Sequence, residues 1–312
     1  MTDQKRKALI IGASGLIGSH LLASGRDLRW EVYGTYNSYP VEGLHHLSLT
    51  NREALLGILK ELRPSVVLVP GAITNVDWAE THEEETFACN VDPIRLIGSW
   101  ARDEGSLVVF FSTDYVFDGN SGPYAEDDQK SPLSVYGRSK AIAEDILIDS
   151  GAEGLIIRTT GVYGREPQGK NFVLRLLKTL DSGGEIKVPR DQIGSPSHAL
   201  DVARFTWRLI DKKQTGIFNV SGPCLMDRWT FAVLCAQLTG RTIRGIIGVT
   251  TEELNQLARR PLKGGLLVHK VTETLGILPQ DAISGLSEML NSGSRVGTCE
   301  REDKGAREAV LL

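Results

Sequence analysis

No run in this 312-residue chain is apolar for long enough to cross a bilayer. Its strongest apolar stretches, Ala8 to Ile11, Val66 to Val69 and Leu107 to Phe111, are about five residues long where about 20 are needed. A basic excess is missing too: 35 Lys and Arg stand against 39 Asp and Glu, a net charge of -4, so no broad field draws the chain to nucleic acid or to an anionic membrane. Cysteine is scarce, and Cys89, Cys224, Cys235 and Cys299 never come at the two-residue separation of metal or redox sites, so buried or incidental thiols are expected. His45, His46, His82, His198 and His269 show no metal-ligand spacing either, and solvated or capping roles are expected for them. No metal is expected. Met1 to Lys7 is polar and of mixed charge, unlike a secretory leader, which makes the cytoplasm the expected location. With 24% charged and 41% hydrophobic residues, what remains is an ordinary globular composition with length enough to bury a core.

Glycine is plentiful at 33 residues, and short β-branched runs alternate with longer helical periods. Ala8 to Ile11, Glu31 to Thr35, Val66 to Val69, Leu107 to Phe111 and Leu155 to Arg158 read as strands. Ile17 to Ser24, Asn51 to Leu62, Glu83 to Glu104 and Tyr136 to Ser150 read as helices, and Leu47 to Leu49 as a third, minor strand. Parallel neighbours need a crossover, which a helix supplies, and strands apolar on both faces are covered on both faces. The expected fold class is α/β, a doubly wound parallel sheet of the Rossmann kind. After Thr160 the pattern loosens into helices at Phe172 to Leu180, Ala199 to Ile210, Arg228 to Leu238 and Thr251 to Leu257, with a strand at Gly216 to Val220.

Gly12, Gly15 and Gly18 form a G-x-x-G-x-x-G between the first strand and the first helix. One glycine makes the tight turn, the next lets the backbone approach a pyrophosphate, and the third lets helix and strand pack closely. Residues 1–160 are therefore expected to be a dinucleotide-binding domain, 161–291 mainly a smaller α/β substrate lobe with some segments returning to the first, and 292–312 a mobile tail. The second strand ends in Gly34-Thr35-Tyr36-Asn37, with no carboxylate to repel a 2′-phosphate. NADPH is the expected cofactor, with NADH also allowed.

Tyr136 and Lys140 stand four apart at a helix start and so share a face. An ammonium beside a phenol lowers the phenol's pKa, so the pair is expected to trade a proton with a carbonyl or alcohol oxygen. Ser112-Thr113 closes the strand Leu107 to Phe111, at the sheet edge where ligands bind.

GASGLIG, the string Ser112-Thr113-Asp114-Tyr115-Val116-Phe117-Asp118-Gly119 and the segment Tyr136-Gly137-Arg138-Ser139-Lys140 resemble the dTDP-4-dehydrorhamnose reductase family of extended short-chain dehydrogenases. Asn171-Phe172, Asp191 to Pro196 and Arg260-Pro261 agree with it. The resemblance implies NADPH-dependent reduction of the C4 ketone of a nucleotide-linked 4-keto-6-deoxy sugar. Tyr136 would donate the proton, Lys140 would hold the nicotinamide ribose and tune Tyr136, and Thr113 would bond the reacting oxygen. Gly12, Ser14, Gly15, Leu16, Ile17, Gly18, Thr35, Gly71, Ala72, Asn90 and Ser112, with Tyr136 and Lys140, would surround the cofactor. Thr74, Val76, Asp77, Thr113, Asp114, Asn171, Phe172 and Arg260 would meet the substrate. Read from the residues alone, the alternative for Thr74 is a loop hydroxyl satisfied by backbone, and Asp77 is equally the N-cap of the next helix.

Related sugar-nucleotide dehydratases carry Asp-Glu after the equivalent threonine, and Asp114-Tyr115 here argues against water elimination. The chain departs from the reductases at Gly161, where a tryptophan is common. The expected partner is a nucleotide sugar, with no nucleic acid and no membrane, and a homodimer is left open. The same motifs also resemble the regulatory β subunit of methionine adenosyltransferase, which binds NADP without catalysis, and this is the alternative reading.

Overall fold

The computed structural model describes residues 6–291. The tail expected at 292–312, with Cys299, lies outside the described residues, as do the first five residues. The first half runs β1 (Lys7–Ile10), α1 (Leu16–Asp27), β2 (Glu31–Tyr36), β3 (His45–His46), α2 (Arg52–Leu62), β4 (Val66–Val69), α3 (Val76–Thr81), α4 (Glu83–Asn90), α5 (Asp92–Glu104), β5 (Leu107–Thr113), α6 (Val135–Asp149) and β6 (Gly154–Thr159). The second half continues with β7 (Val162–Tyr163), α7 (Phe172–Asp181), β8 (Ile186–Pro189), β9 (Ile193–Gly194), β10 (Ser197–His198), α8 (Ala199–Asp211) and β11 (Gly216–Asn219). It closes with β12 (Met226–Asp227), α9 (Arg228–Leu238), β13 (Ile246–Val249), α10 (His269–Leu275) and α11 (Ala282–Asn291).

Seven strands form one sheet in the order β11-β6-β5-β4-β1-β2-β3, and every pairing in it is parallel. Side chains alternate across a strand, and β5 shows what that does here. Leu107, Val109 and Phe111 enter a core shared with Leu21 of α1 and Val202 and Trp207 of α8. Val108 and Phe110 enter the opposite core with Leu55 and Leu59 of α2, Ile97 of α5 and Leu147 of α6. Helices thus cover both faces, which is why the strands read as unbroken apolar runs.

The continuous helix expected over Glu83 to Glu104 is two helices. Pro93 has no N–H for the Cys89 carbonyl, and the chain breaks at Val91 before α5 starts with that proline in its first turn. The third strand falls on His45–His46, which pair with Thr35 and Tyr36, and not on Leu47 to Leu49. Thr251 to Leu257 holds only one 3-10 turn, Glu252–Leu254, because Asn255 turns left-handed at φ 47° and the chain leaves extended to pair beside Ile193.

Beyond β6, Tyr163, Val173, Leu176, Phe231, Cys235 and Leu286 make a third core, drawn from α7, α9 and α11. β11 returns to the large sheet as its edge, beside β6. From β1 the chain goes one way to β2 and the other way to β4, so the order reverses between β1 and β4 and opens a crevice at their carboxyl ends.

Candidate active site

A cavity of about 630 Å³ fills that crevice, walled by the residues that follow β1, β4, β5 and β6. Gly12 sits at φ 96°, and a Cβ there would lie 2.6 Å from the Gly71 Cα; a Cβ on Gly18 would lie 2.2 Å from the Gly12 oxygen. Neither position admits a side chain. Gly15 is the N-cap of α1, and among the described residues no side chain caps that helix start, so its first N–H groups are left for a ligand. Ser14, Leu16, Ile17, Gly71, Ala72, Ser112 and Thr74 also line the cavity.

Thr35 and Asn90 do not face the cavity. Thr35 is fully buried behind the glycine loop, where its hydroxyl accepts the Gly12 N–H at 3.2 Å. Asn90 clamps the wall from behind: its side chain accepts from Ile73 N at 2.8 Å and donates to Ile73 O at 3.1 Å and to Ser139 Oγ at 3.0 Å. It thereby ties the loop after β4 to α6.

Two buried hydroxyls in the wall, Ser112 Oγ and Thr159 Oγ1, have no hydrogen-bond partner among the described residues. A buried polar group without a partner costs about 1–3 kcal/mol, so these are sites where a ligand's polar atoms would be welcome. A glycine cradle, an uncapped helix start and orphaned hydroxyls further along one crevice fit a dinucleotide.

α6 brings Tyr136 and Lys140 to the same crevice. Ser134 Oγ caps it at Gly137 N, 3.1 Å away, and a Cβ on Gly137 would come 2.3 Å from the Tyr115 oxygen, so only glycine lets the first turn sit this close to the end of β5. The Thr113 hydroxyl lies beside the Tyr136 phenol, donates to Asp114 Oδ1 at 3.1 Å and accepts from Tyr115 N at 3.2 Å. The expected acidified phenol is not what this geometry produces. Burial first, then the nearby Asp114 and Tyr115, push the Tyr136 phenol well above its ordinary value. The Lys140 ammonium instead lies 4.2 Å from the centre of the Phe110 ring, and burial brings its pKa down to about 8. Four-residue spacing puts both groups on one face, but here desolvation leads for each, raising the phenol and lowering the ammonium.

A second cavity of about 260 Å³ meets the first across Thr160, Gly161 and Val162. Its wall includes Asp114, Tyr115, Phe172, Arg175, Gln192 and Arg228. Arg228 stacks on Phe172, 4.9 Å to the ring centre, and pairs with no carboxylate among the described residues; burial disfavours its charge, Arg175 and Arg260 add repulsion, and Tyr115 and Asp114 offset part of it. Asp114 is 4% exposed, and burial raises its pKa despite hydrogen bonds from Thr160, Gly265 and Thr113. Asn171 lines the first cavity and caps α7.

Asp77 is not the N-cap of α3; Asn75 is. Asp77 instead accepts from Ala258 N at 3.0 Å and pairs with Arg260 Nη2 at 2.8 Å, outside both cavity walls, as is Val76. The sequence reading missed Arg228 and Arg175. Arg175 was within reach, one helical turn from Asn171, whereas Arg228 is placed by the pairing of two-residue strands, which leave no periodic trace. His198 is buried at 3% exposure and so is not solvated; it stands at the N-cap of α8, though its side chain makes no capping hydrogen bond. Cys235 is buried, Cys89 lines the first cavity and Cys224 is exposed, all three as free thiols.

The model of a family described as the RmlD substrate binding domain matches residues 6–295. A dTDP-4-dehydrorhamnose reductase of Aggregatibacter actinomycetemcomitans is 31% identical over 288 residues, covering 88% of this chain and 95% of the relative. A crystal structure of dTDP-4-dehydrorhamnose reductase from Bacillus anthracis in complex with NADP superposes with a TM-score of 0.85 at 26% identity, covering 93% of this chain and 100% of that one. That of an orthologue from Clostridium acetobutylicum gives a TM-score of 0.83 at 30% identity, covering 92% and 99%. With the glycine cradle, the tyrosine and lysine of α6 and this likeness over nearly the whole described chain, the protein belongs to the RmlD substrate binding domain family.

Proposed function

We propose that this chain is an oxidoreductase that uses NADPH, or NADH, to reduce the C4 ketone of a nucleotide-linked 4-keto-6-deoxy sugar. The observation that carries the reading is that Tyr136 and Thr113 line one of two adjoining cavities, while Asp114 and Tyr115, the latter packed edge-on against the Tyr136 ring, line the other. The first of these has a cradle for a dinucleotide, and the second holds the half-buried Arg228, without a carboxylate partner among the described residues, and Arg175 in the same wall. A reduced nicotinamide bound in the first cavity supplies a hydride.

The protein's own part is to position and to protonate. Tyr136 Oη holds a proton that burial keeps on the phenol, and gives it to the C4 oxygen as negative charge develops there. Thr113 Oγ1 lies beside that phenol and steadies the same oxygen. Lys140, its ammonium without a hydrogen bond among the described residues, holds the nicotinamide ribose, and the orphaned Ser112 hydroxyl takes a further polar atom of the dinucleotide. Gly12, Ser14, Gly15, Leu16, Ile17, Gly18, Gly71 and Ala72 enclose the rest, with Thr35 and Asn90 holding that wall from behind.

Arg228 and Arg175 receive the diphosphate of the sugar nucleotide, where an anion relieves the cost of enclosing an unpaired cation. Asn171, Phe172, Thr74 and Asp114 border the sugar path, and the Asp77–Arg260 pair, with Val76 beside it, shapes the wall behind it. Residues 1–160 then serve chiefly the dinucleotide and 161–291 chiefly the sugar nucleotide. No helix among the described residues is long and apolar enough to cross a membrane. The cytoplasm is the proposed setting, and a homodimer is the assembly to test by light scattering.

The deciding experiment mixes the purified chain and NADPH with a panel of dTDP-4-keto-6-deoxy sugars and follows NADPH absorbance. Consumption with at least one of them is expected. If the chain binds NADPH tightly yet consumes none across the panel, the reductase reading is wrong.

A further inference from the structure

The end of β2, where a dinucleotide's 2′-position is read in sheets of this kind, offers only Asn37 and Ser38 to the large cavity, both neutral. Among the described residues in that wall the cations are Lys140 and Lys170. Lys140 belongs to the β5 side, and β5 lies three strand spacings from β2, about 14 Å. It cannot serve both ends.

Lys170 comes from the other lobe, on the segment between β7 and α7, and that segment crosses over the crevice. Gln168 Nε2 donates to Ser14 O at 3.1 Å, on the glycine loop, while the hydroxyl of Tyr39, just past Asn37 and Ser38, reaches Pro167 O at 3.5 Å. The segment therefore bridges the phosphate cradle and the end of β2. Glu166 fixes its shape: Oε1 accepts from Lys170 N at 2.9 Å, from Asn171 N at 2.7 Å and from Asn171 Nδ2 at 2.9 Å. The Lys170 backbone is thus held, while its ammonium pairs with no group among the described residues.

Resting on the reading of this cavity as the dinucleotide site, we infer that Lys170 supplies the positive charge that receives the 2′-phosphate of NADPH. The pyrophosphate already has the uncapped start of α1. A 2′-phosphate has no cation from β2, and a doubly charged phosphate pairs well with an ammonium at the cavity rim. Preference for NADPH over NADH would then be decided by the lobe that also binds the substrate.

The test is equilibrium binding by isothermal titration calorimetry, with NADPH, NADH and 2′,5′-ADP as probes, on the full chain and its Lys170→Gln and Lys170→Arg variants. The last probe carries the 2′-phosphate but no pyrophosphate. Lys170→Gln should weaken NADPH and 2′,5′-ADP about three- to tenfold, leave NADH unchanged, and lose part of the salt dependence of NADPH binding; Lys170→Arg should restore affinity. Equal weakening of NADH would overturn the inference by moving the charge to the pyrophosphate, and no change for any probe would overturn it outright. A parent chain that binds none of the three would remove the dinucleotide reading itself, a result separate from either.

Discussion

Arg158 and Glu144 meet through two hydrogen bonds, Nε to Oε1 at 2.9 Å and Nη2 to Oε2 at 2.7 Å, with the side chains 1% and 0% exposed. The pair joins β6 to α6, the helix that carries Tyr136 and Lys140. Arg158 also donates to Glu126 O at 2.9 Å, so one guanidinium ties helix, strand and the loop before the helix together. Removing one partner strands a charge in the interior. Glu144→Ala should cost about 3–5 kcal/mol in urea unfolding, and the apolar double variant, Glu144→Leu with Arg158→Met, should recover most of it. A single variant as stable as the parent would contradict this account of the pair.

Tyr136→Phe removes the proposed proton donor and little else. Turnover of the keto sugar should fall by about 10²- to 10⁴-fold, with NADPH affinity unchanged in calorimetry. Undiminished turnover would take the proton transfer away from this phenol.

The pH dependence follows from Lys140. Burial lowers its pKa from 10.5 to about 8. Below that value the folded protein carries the ammonium, and above it the amine. Tyr136, pushed upward, keeps its proton throughout the same window. NADPH affinity should therefore fall as pH rises through about 8, and Lys140→Met should show weak, flat binding. For stability the sign is opposite: between about 8 and 10.5 the unfolded chain holds a proton the folded one has released, so this group's contribution rises with pH. A profile of NADPH affinity that is flat across this range in the parent would exclude the lysine as its ribose ligand.

Two glycines make a matched comparison. A Cβ on Gly18 would sit 2.2 Å from the Gly12 oxygen, while one on Gly57, exposed in α2, meets nothing within 4 Å. Gly57→Ala should stabilise by about 0.5–1 kcal/mol through helix propensity. Gly18→Ala should displace the cradle and abolish measurable NADPH binding. If thermal melting and titration show both variants alike, steric closeness is not why Gly18 lacks a side chain.

The reading of the sequence was strongest where one local rule decided the outcome. Val66–Val69 and Leu107 onward are apolar on both faces because helices cover both faces, and no other signal was needed to find β4 and β5. Gly12, Gly15 and Gly18 lie where their spacing put them, in the cavity wall. Local rules failed where distance decided. The Asp77–Arg260 pair spans 183 positions, and no pattern along the chain announces it. Tyr136 and Lys140 were found by spacing, but the direction of their proton affinities depends on how deeply the fold encloses them, which spacing does not encode. The helix that splits at Val91 was overlooked because its apolar rhythm continues through Pro93 while its hydrogen bonds cannot.

The return of β11 to the edge of the large sheet has a mechanical result. Gly216 to Asn219 lie alongside Leu155 to Arg158, and in the next helix back Trp207 closes over α1 with its indole N–H on the Leu21 oxygen at 3.0 Å. A fragment severed at residue 160 would forfeit both, leaving β6 as a bare edge able to recruit foreign strands. The chain is stitched back and forth between the large sheet and the third core, so neither can be removed, swapped or unfolded without tearing the other.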